Sequence, residues 1–313
     1  MNVLVTGANG QLGRCIRNQV ENLNEHNNVY FYTDVTGDAK DGLEYLNLCD
    51  EDEVKKFVRE KNINIIINCA AYTNVDKAET DEENATAVNS TAVKYLAEAA
   101  KDVGAKLIHI STDYVFNGQG FIPYTEDRMT LPVSVYGKTK LMAEKYIEES
   151  GCKYLIFRTA WLYSEYGNNF VKTMLRLFDE KEEINVVNDQ IGTPTYAGNL
   201  AELIVKICEC MTPLEGKETI PLLENGIYHF TDEGVASWYD FAQVIQQNYL
   251  SHWRGKCLIN GVTTKEYGSK TKRPYYSVLD KTKYKTDFKG LYQPKHWMKA
   301  VNQVVNRIVI KHT

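Results

Sequence analysis

Asn2-Val3-Leu4-Val5-Thr6 is a short apolar run that closes on Gly7-Ala8-Asn9-Gly10-Gln11-Leu12-Gly13, and from Leu12 onward Ile16, Val20 and Leu23 recur at helical spacing. The stretch reads strand, glycine turn, helix. Gly7, Gly10 and Gly13 form a variant of the dinucleotide fingerprint, in which glycines allow a tight turn, a close approach of backbone to pyrophosphate, and close helix packing. A helix beginning there turns free N–H groups and the positive end of its dipole toward phosphate. Glycine triplets often mark only a turn, but one that opens the first helix of a chain points to a dinucleotide.

Working outward, Val29 to Thr33 is a second strand that closes on Asp34, 21 residues past Gly13 (34 − 13). An acidic side chain there commonly binds the adenine ribose hydroxyls, although an Asp at a strand end can equally cap a loop. No arginine follows Asp34 directly to receive a 2′-phosphate, which suits NADH. Asp50 followed by Glu53 reads as a helix-start capping pair, with Val54, Phe57 and Val58 inward. Ile63 to Ile67 suits a parallel strand buried on both faces. The small residues after it, Asn68 to Thr73, leave room for a ligand at the carboxyl edge of a sheet.

A helix is expected from Glu83 to Val103, turning Ala87, Val88, Ala92, Leu96 and Ala99 to the core and stopping at Gly104. Lys106 to Ile110 then delivers Ser111-Thr112-Asp113-Tyr114-Val115-Phe116 to the same sheet edge, and Tyr154 to Arg158 delivers Thr159-Ala160-Trp161. The alternation defines an α/β fold, a Rossmann-type doubly wound parallel sheet with a smaller C-terminal substrate-binding α/β region. Residues 1–160 are expected to form the dinucleotide-binding domain. Residues 161–313 form mainly the substrate-binding region, with about 185–225 returning to the Rossmann domain. Residues 212–226 read as a surface loop, Ser237 with Asp240 as a helix cap, and Trp297 to Ile310 as a terminal helix.

Between two of these strands lies Ser134-Val135-Tyr136-Gly137-Lys138-Thr139-Lys140. Met142, Ala143, Tyr146 and Ile147 continue a helical stripe, so Tyr136 and Lys140 stand one turn apart on one helix face. That spacing suits proton transfer, because a neighbouring cation draws a phenol down from its ordinary range near 10 toward neutral pH. With 21 tyrosines in the chain, such a pair can also be an ordinary solvated face, and its neighbours must decide.

Composition narrows the classes. Hydrophobic residues at 43% and charged residues at 25% describe an ordinary globular protein, and a net charge of -5 without a basic stripe argues against nucleic acid. Seven cysteines lack paired metal-ligand spacing and read as buried or idle thiols. No apolar run approaches the ~18 residues of a membrane span, and no leader is read before the first strand, so a cytoplasmic protein is expected.

Taken together, the glycine loop, a Ser or Thr at a strand end and Tyr-x-x-x-Lys resemble the extended short-chain dehydrogenase/reductase superfamily. Within it, Ala70-Ala-Tyr-Thr-Asn-Val-Asp-Lys-Ala-Glu79, Ser111 to Phe116, Arg158-Thr-Ala-Trp161, Asp189-Gln-Ile-Gly-Thr-Pro-Thr195, Arg273-Pro274 and Ser277-Val-Leu-Asp280 resemble the dTDP-4-dehydrorhamnose reductases. The resemblance covers nearly the whole chain. It implies an NADPH- or NADH-dependent enzyme that reduces the C4 ketone of dTDP-4-dehydro-β-L-rhamnose. Gly7, Gly10, Gln11, Leu12 and Gly13 would hold the pyrophosphate, Asp34 the adenosine ribose, and Asn47 and Leu48 the adenine. Asn47 stands where an Asp is often seen. Ala71, Tyr72 and Thr73 would line the nicotinamide half, Thr112, Tyr136 and Lys140 would form the catalytic set, and Thr112, Asp113 and Trp161 would meet the sugar nucleotide.

Within the same resemblance, no metal ligands are mapped, while Mg2+ at a homodimer interface stays open. Two rivals remain. One is a sugar-nucleotide epimerase or dehydratase; dehydratases carry Asp-Glu where this chain has Asp113-Tyr114, which disfavours elimination. The other is a non-catalytic regulatory subunit like that of methionine adenosyltransferase.

Overall fold

Val3, Leu4 and Val5 are all fully buried, which is possible only if the first strand is covered on both faces. The computed structural model describes residues 1–23, 27–36, 41–212, 224–250, 255–269 and 271–310. Seven strands form one parallel sheet: β1 (Asn2–Thr6), β2 (Val29–Asp34), β3 (Leu43–Tyr45), β4 (Ile65–Asn68), β5 (Lys106–Thr112), β6 (Lys153–Thr159) and β7 (Gly226–His229). Their spatial order is β7-β6-β5-β4-β1-β2-β3. The chain reverses direction across the sheet between β1 and β4, and a crevice opens at the carboxyl ends of those two strands.

Alternate residues of each strand feed two separate cores. Val3, Val5, Ile65 and Ile67 pack with helix α1 (Gln11–Glu21) and with the helix Ala197–Met211. Leu4, Ile66, Leu107 and Ile156 face the other way. There they meet α2 (Glu51–Glu60), α3 (Ala92–Val103) and α4 (Val135–Ser150). A third core gathers Tyr163 and the helices Phe170–Glu180, Trp238–Tyr249 and Trp297–Ile310. Strand Glu183–Val187 lies beside this core, paired in parallel with Leu258–Val262. Helix Ala197–Met211 and β7 belong with the main sheet, while most of the expected loop at 212–226 lies outside the described residues.

Several expected elements shift at their ends. The expected strand at Ile63 begins at Ile65, because Asn62 adopts a left-handed backbone (φ 49°) that turns the chain out of α2. Asp50 accepts the Glu53 N–H as expected, but the Glu53 carboxylate accepts from the Asn47 N–H, so only half of a capping box forms. The helix expected from Glu83 starts at Glu82 and contains a π-turn over Ala87–Thr91 before α3. This turn rotates Asn89 and Ser90 inward, where Ala87 and Val88 were expected. Asn89 accepts the Tyr72 N–H at 2.8 Å and donates to the Tyr72 carbonyl and the Thr139 hydroxyl, while Ser90 donates to the Thr139 carbonyl. The π-turn therefore ties the loop after β4 to α4. Gly104 stops α3 in the left-handed conformation, as expected of a C′ glycine.

Candidate active site

The crevice is a cavity of about 850 Å3. At one end the glycine loop forms its floor. Gly7 has a positive φ (62°), and a Cβ there would lie 2.6 Å from the Ala70 nitrogen, so no other residue lets β1 turn beside the loop after β4. Gly10, Gln11 and Leu12 line the cavity; Gly13 stands behind it, where a Cβ would come within 2.4 Å of the Gly7 carbonyl oxygen. No side chain caps the start of α1, which leaves its first N–H groups open toward the crevice. Gln11 is clamped from across the chain, its Oε1 accepting from Asn169 at 2.9 Å and from Ser164 at 3.2 Å.

Asp34 lines the same end and also does the work of a loop cap. It accepts from the Asn9 N–H at 3.1 Å and from the N–H and hydroxyl of Thr36 at 3.1 and 3.0 Å. Asn47, Leu48, Ala71, Tyr72 and Thr73 all face the cavity. The Asn47 side chain is engaged in its own turn, accepting the Cys49 N–H. A tight glycine turn, open helix N–H groups and a carboxylate at the end of β2 together fit a dinucleotide.

At the other end stand Thr112, Asp113, Tyr136, Lys140 and Trp161. Thr112 closes β5 and donates its hydroxyl to Asp113 at 3.0 Å. Tyr136 sits in the first turn of α4, whose N-cap Ser134 accepts the Gly137 N–H. Gly137 is required by contact, since a Cβ there would lie 2.2 Å from the Tyr114 carbonyl oxygen. This close approach brings the Tyr136 ring edge-on to Tyr114, with centroids 5.6 Å apart.

The electrostatics differ from the sequence expectation. Tyr136 is pushed up to about 12, because burial outweighs a hydrogen bond with Thr112 that pulls it down, and Asp113 pushes it further up. Lys140 does not offset this: its Nζ donates to the Ile110 carbonyl at 2.7 Å and lies 3.2 Å from His109 Nε2. Burial lowers Lys140 itself to about 8, against the pull of Glu144 and Cys69.

Two buried oxygens at this end, Asp113 Oδ2 and Thr159 Oγ1, have no hydrogen-bond partner among the described residues. Burial raises the Asp113 carboxyl to about 6 despite the nearby Ser277 and Thr112 hydroxyls. Buried acceptors without partners are costly and are usually met by a ligand or water. Trp161 holds a left-handed backbone (φ 48°) and stacks on Trp238, and Arg273 at the rim pairs with Asp76 at 2.8 Å.

Trp238 and Gln11's clamp at Ser164 and Asn169 complete surroundings that the motifs did not show, while Thr159 and Arg273 lie in quoted motifs but were given no role. The signal for Thr159 was its position at the carboxyl end of β6. Trp238 carried none, because it reaches the site from a helix more than seventy residues after Trp161. Among the described residues, no three His, Cys, Asp or Glu side chains come together as a metal site, and no helix is long and apolar enough to cross a membrane. None of the seven cysteines forms a disulfide.

A Rossmann sheet with this glycine loop, a strand-end Thr and a Tyr-x-x-x-Lys helix on one crevice defines an extended short-chain dehydrogenase/reductase. Residues 1–310 match the model of the RmlD substrate binding domain family, and the chain belongs to that family of NAD(P)-dependent reductases. It is 39% identical to a dTDP-4-dehydrorhamnose reductase of Aggregatibacter actinomycetemcomitans, over 96% of this chain and 97% of the relative. It is 36% identical to the spore coat polysaccharide biosynthesis protein SpsK of Bacillus subtilis, over 96% of this chain and 95% of the relative. The crystal structure of a dTDP-4-dehydrorhamnose reductase from Bacillus anthracis in complex with NADP superposes with a TM-score of 0.83 at 37% identity, covering 98% of this chain and 99% of that one.

Proposed function

We propose that this chain reduces the C4 ketone of dTDP-4-dehydro-β-L-rhamnose to the alcohol, giving dTDP-β-L-rhamnose, with NADPH or NADH as reductant. When bound, the reduced nicotinamide supplies the hydride. Tyr136 donates its phenolic proton to the sugar oxygen as charge grows there, and its high resting pKa keeps that proton in place until the oxygen demands it. Thr112 turns its hydroxyl from Asp113 to the same oxygen and stabilises the developing charge. Lys140 holds the nicotinamide ribose. Asp113 Oδ2 accepts from a sugar hydroxyl, and Trp161 forms a wall of the sugar pocket.

The observation that carries this reading is the convergence of the glycine loop, Thr112, Tyr136 and an unpartnered Asp113 oxygen on one cavity. The names of the A. actinomycetemcomitans and B. anthracis relatives support the substrate. The test is loss of reduced-nicotinamide absorbance with a panel of 4-keto sugar nucleotides. Fastest turnover is expected on the dTDP-linked 4-keto-L-sugar. Turnover on a different 4-keto sugar alone moves the substrate assignment, and turnover on none removes the reductase reading.

A further inference from the structure

Thr6, Asn68 and His109 lie side by side on β1, β4 and β5, partners in register across three adjacent strands. Their side chains form one buried polar row that ends on Lys140. The Thr6 hydroxyl donates to Asn68 Oδ1 at 2.7 Å, the Ala70 N–H donates to the same oxygen at 3.1 Å, Asn68 Nδ2 lies 3.1 Å from His109 Nδ1, and His109 Nε2 lies 3.2 Å from Lys140 Nζ.

The direction of every bond in the row follows from one donor that cannot reverse. A backbone N–H only donates, so the Asn68 atom facing Ala70 is the oxygen and the atom facing His109 is the NH2 group. His109 Nδ1 must then accept. A neutral imidazole that accepts at Nδ1 carries its proton on Nε2, which faces Lys140. An ammonium there would set donor against donor, whereas a neutral amine offers Nε2–H a lone pair and still donates to the Ile110 carbonyl.

We propose that His109 is a positioning residue that donates its Nε2–H to Lys140 and holds that side chain as an uncharged amine. A hydrogen bond to the neutral form disfavours the charged form, so the effect adds to that of burial. The titratable groups around Lys140 are Glu144 on α4, Cys69 after β4, and His109 on β5; Glu144 and Cys69 oppose the effect, and Glu144 is itself held by Arg158. His109 is fully buried, and burial drives its pKa well down, which leaves it neutral and able to serve as a fixed donor.

The significance of Lys140 for turnover rests on the proposed reductase function, but the hydrogen-bond direction does not, and neither readout below involves turnover. Two-bond proton–nitrogen correlation on protein labelled with [15N]histidine reports the tautomer directly. The result expected for His109 is the Nε2–H tautomer, unchanged from neutral to mildly alkaline pH. The Nδ1–H tautomer, or an imidazolium, overturns the proposal. In a second measurement, lysine side chains labelled at Cε are titrated, the Lys140 signal being identified by its loss in Lys140→Met. Its midpoint rises by about one unit in His109→Phe and by less in His109→Gln, whose amide can still donate. Equal midpoints in wild type and His109→Phe overturn the proposal, and the wild-type tautomer decides it alone if the variants do not fold.

Discussion

The indole of Trp161 lies flat on that of Trp238, with ring centroids 3.7 Å apart and planes 7° from parallel. Trp161 has a left-handed backbone that a bulky residue adopts only under constraint, and a Cβ on Gly192 would strike its ring at 2.6 Å. Trp238 and Gly192 therefore fix where Trp161 presents itself to the cavity, at the end proposed to take the sugar. Replacing Trp238 by Ala removes one wall of this sandwich. Aromatic pairs of this kind contribute about 1 kcal/mol beyond their buried area, so KM for the sugar nucleotide is expected to rise about fivefold. Cofactor affinity, read by nicotinamide fluorescence, stays unchanged because the glycine loop is untouched.

Asp113 gives a pH-dependent prediction. Its folded pKa of about 6 lies above the ordinary 3.8, so the carboxyl favours the fold below the unfolded value and that contribution is lost as pH rises through 6. Asp113→Asn is neutral at every pH and can still accept from Thr112. The cofactor-free variant is expected to gain about 3 kcal/mol over wild type at pH 8 and well under about 1 kcal/mol at pH 4, measured by urea unfolding. Its KM for the sugar nucleotide rises, because Oδ2 is replaced by an NH2 group that cannot accept a sugar hydroxyl. An equal gain at both pH values would show that burial of this charge is not the cause.

Beneath the site, Arg158 donates to both oxygens of Glu144, at 3.0 and 2.7 Å, with both side chains almost wholly buried, and Ser111 donates to the same carboxylate. Breaking such a pair leaves an uncompensated charge in the core. Glu144→Gln is expected to destabilise the protein by about 3–5 kcal/mol. Denaturant unfolding checks this, with the midpoint falling and the slope unchanged.

Gly137→Ala tests the contact that seats the Tyr136 helix. The added methyl meets the Tyr114 carbonyl at 2.2 Å, and backbone on both sides prevents an easy retreat. Overpacking of this kind costs about 1–3 kcal/mol, and moving α4 misplaces Tyr136 relative to Thr112. Turnover should fall about 10²-fold while the far-ultraviolet circular dichroism of the folded variant is retained.

The sheet was legible in the sequence because strands buried on both faces appear as unbroken apolar runs, and Ile65 to Ile67 and Val3 to Val5 are such runs. Tyr136 and Lys140 were legible because Ala143 and Ile147 continue their helix into the core. The direction of the Lys140 side chain was not. It depends on His109, Asn68 and Thr6 meeting in register across three strands, and sequence spacing does not encode register between parallel strands joined by crossovers. For the same reason, the expectation that Lys140 draws Tyr136 downward failed: the helix spacing holds, but Nζ is taken by His109 and Ile110. Asn89 and Ser90 were hidden by the π-turn, which shifts the inward face partway along a helix that periodicity reads as continuous. Trp238 and the Gln11 clamp come from segments far along the chain and leave no local trace.

On the proposed function, this cleft uses a reduced nicotinamide to convert a keto-sugar nucleotide, with Tyr136 as the proton donor. The most direct test follows reduced-nicotinamide consumption and sugar-nucleotide product together, for wild type and Tyr136→Phe, on dTDP-4-dehydro-β-L-rhamnose. Wild type should consume one NADPH or NADH for each dTDP-β-L-rhamnose formed. Tyr136→Phe should bind cofactor normally and turn over about 10²–10⁴-fold more slowly, the usual contribution of a positioned acid. Near-normal turnover in Tyr136→Phe, or product formed without net consumption of reduced cofactor, would contradict the account.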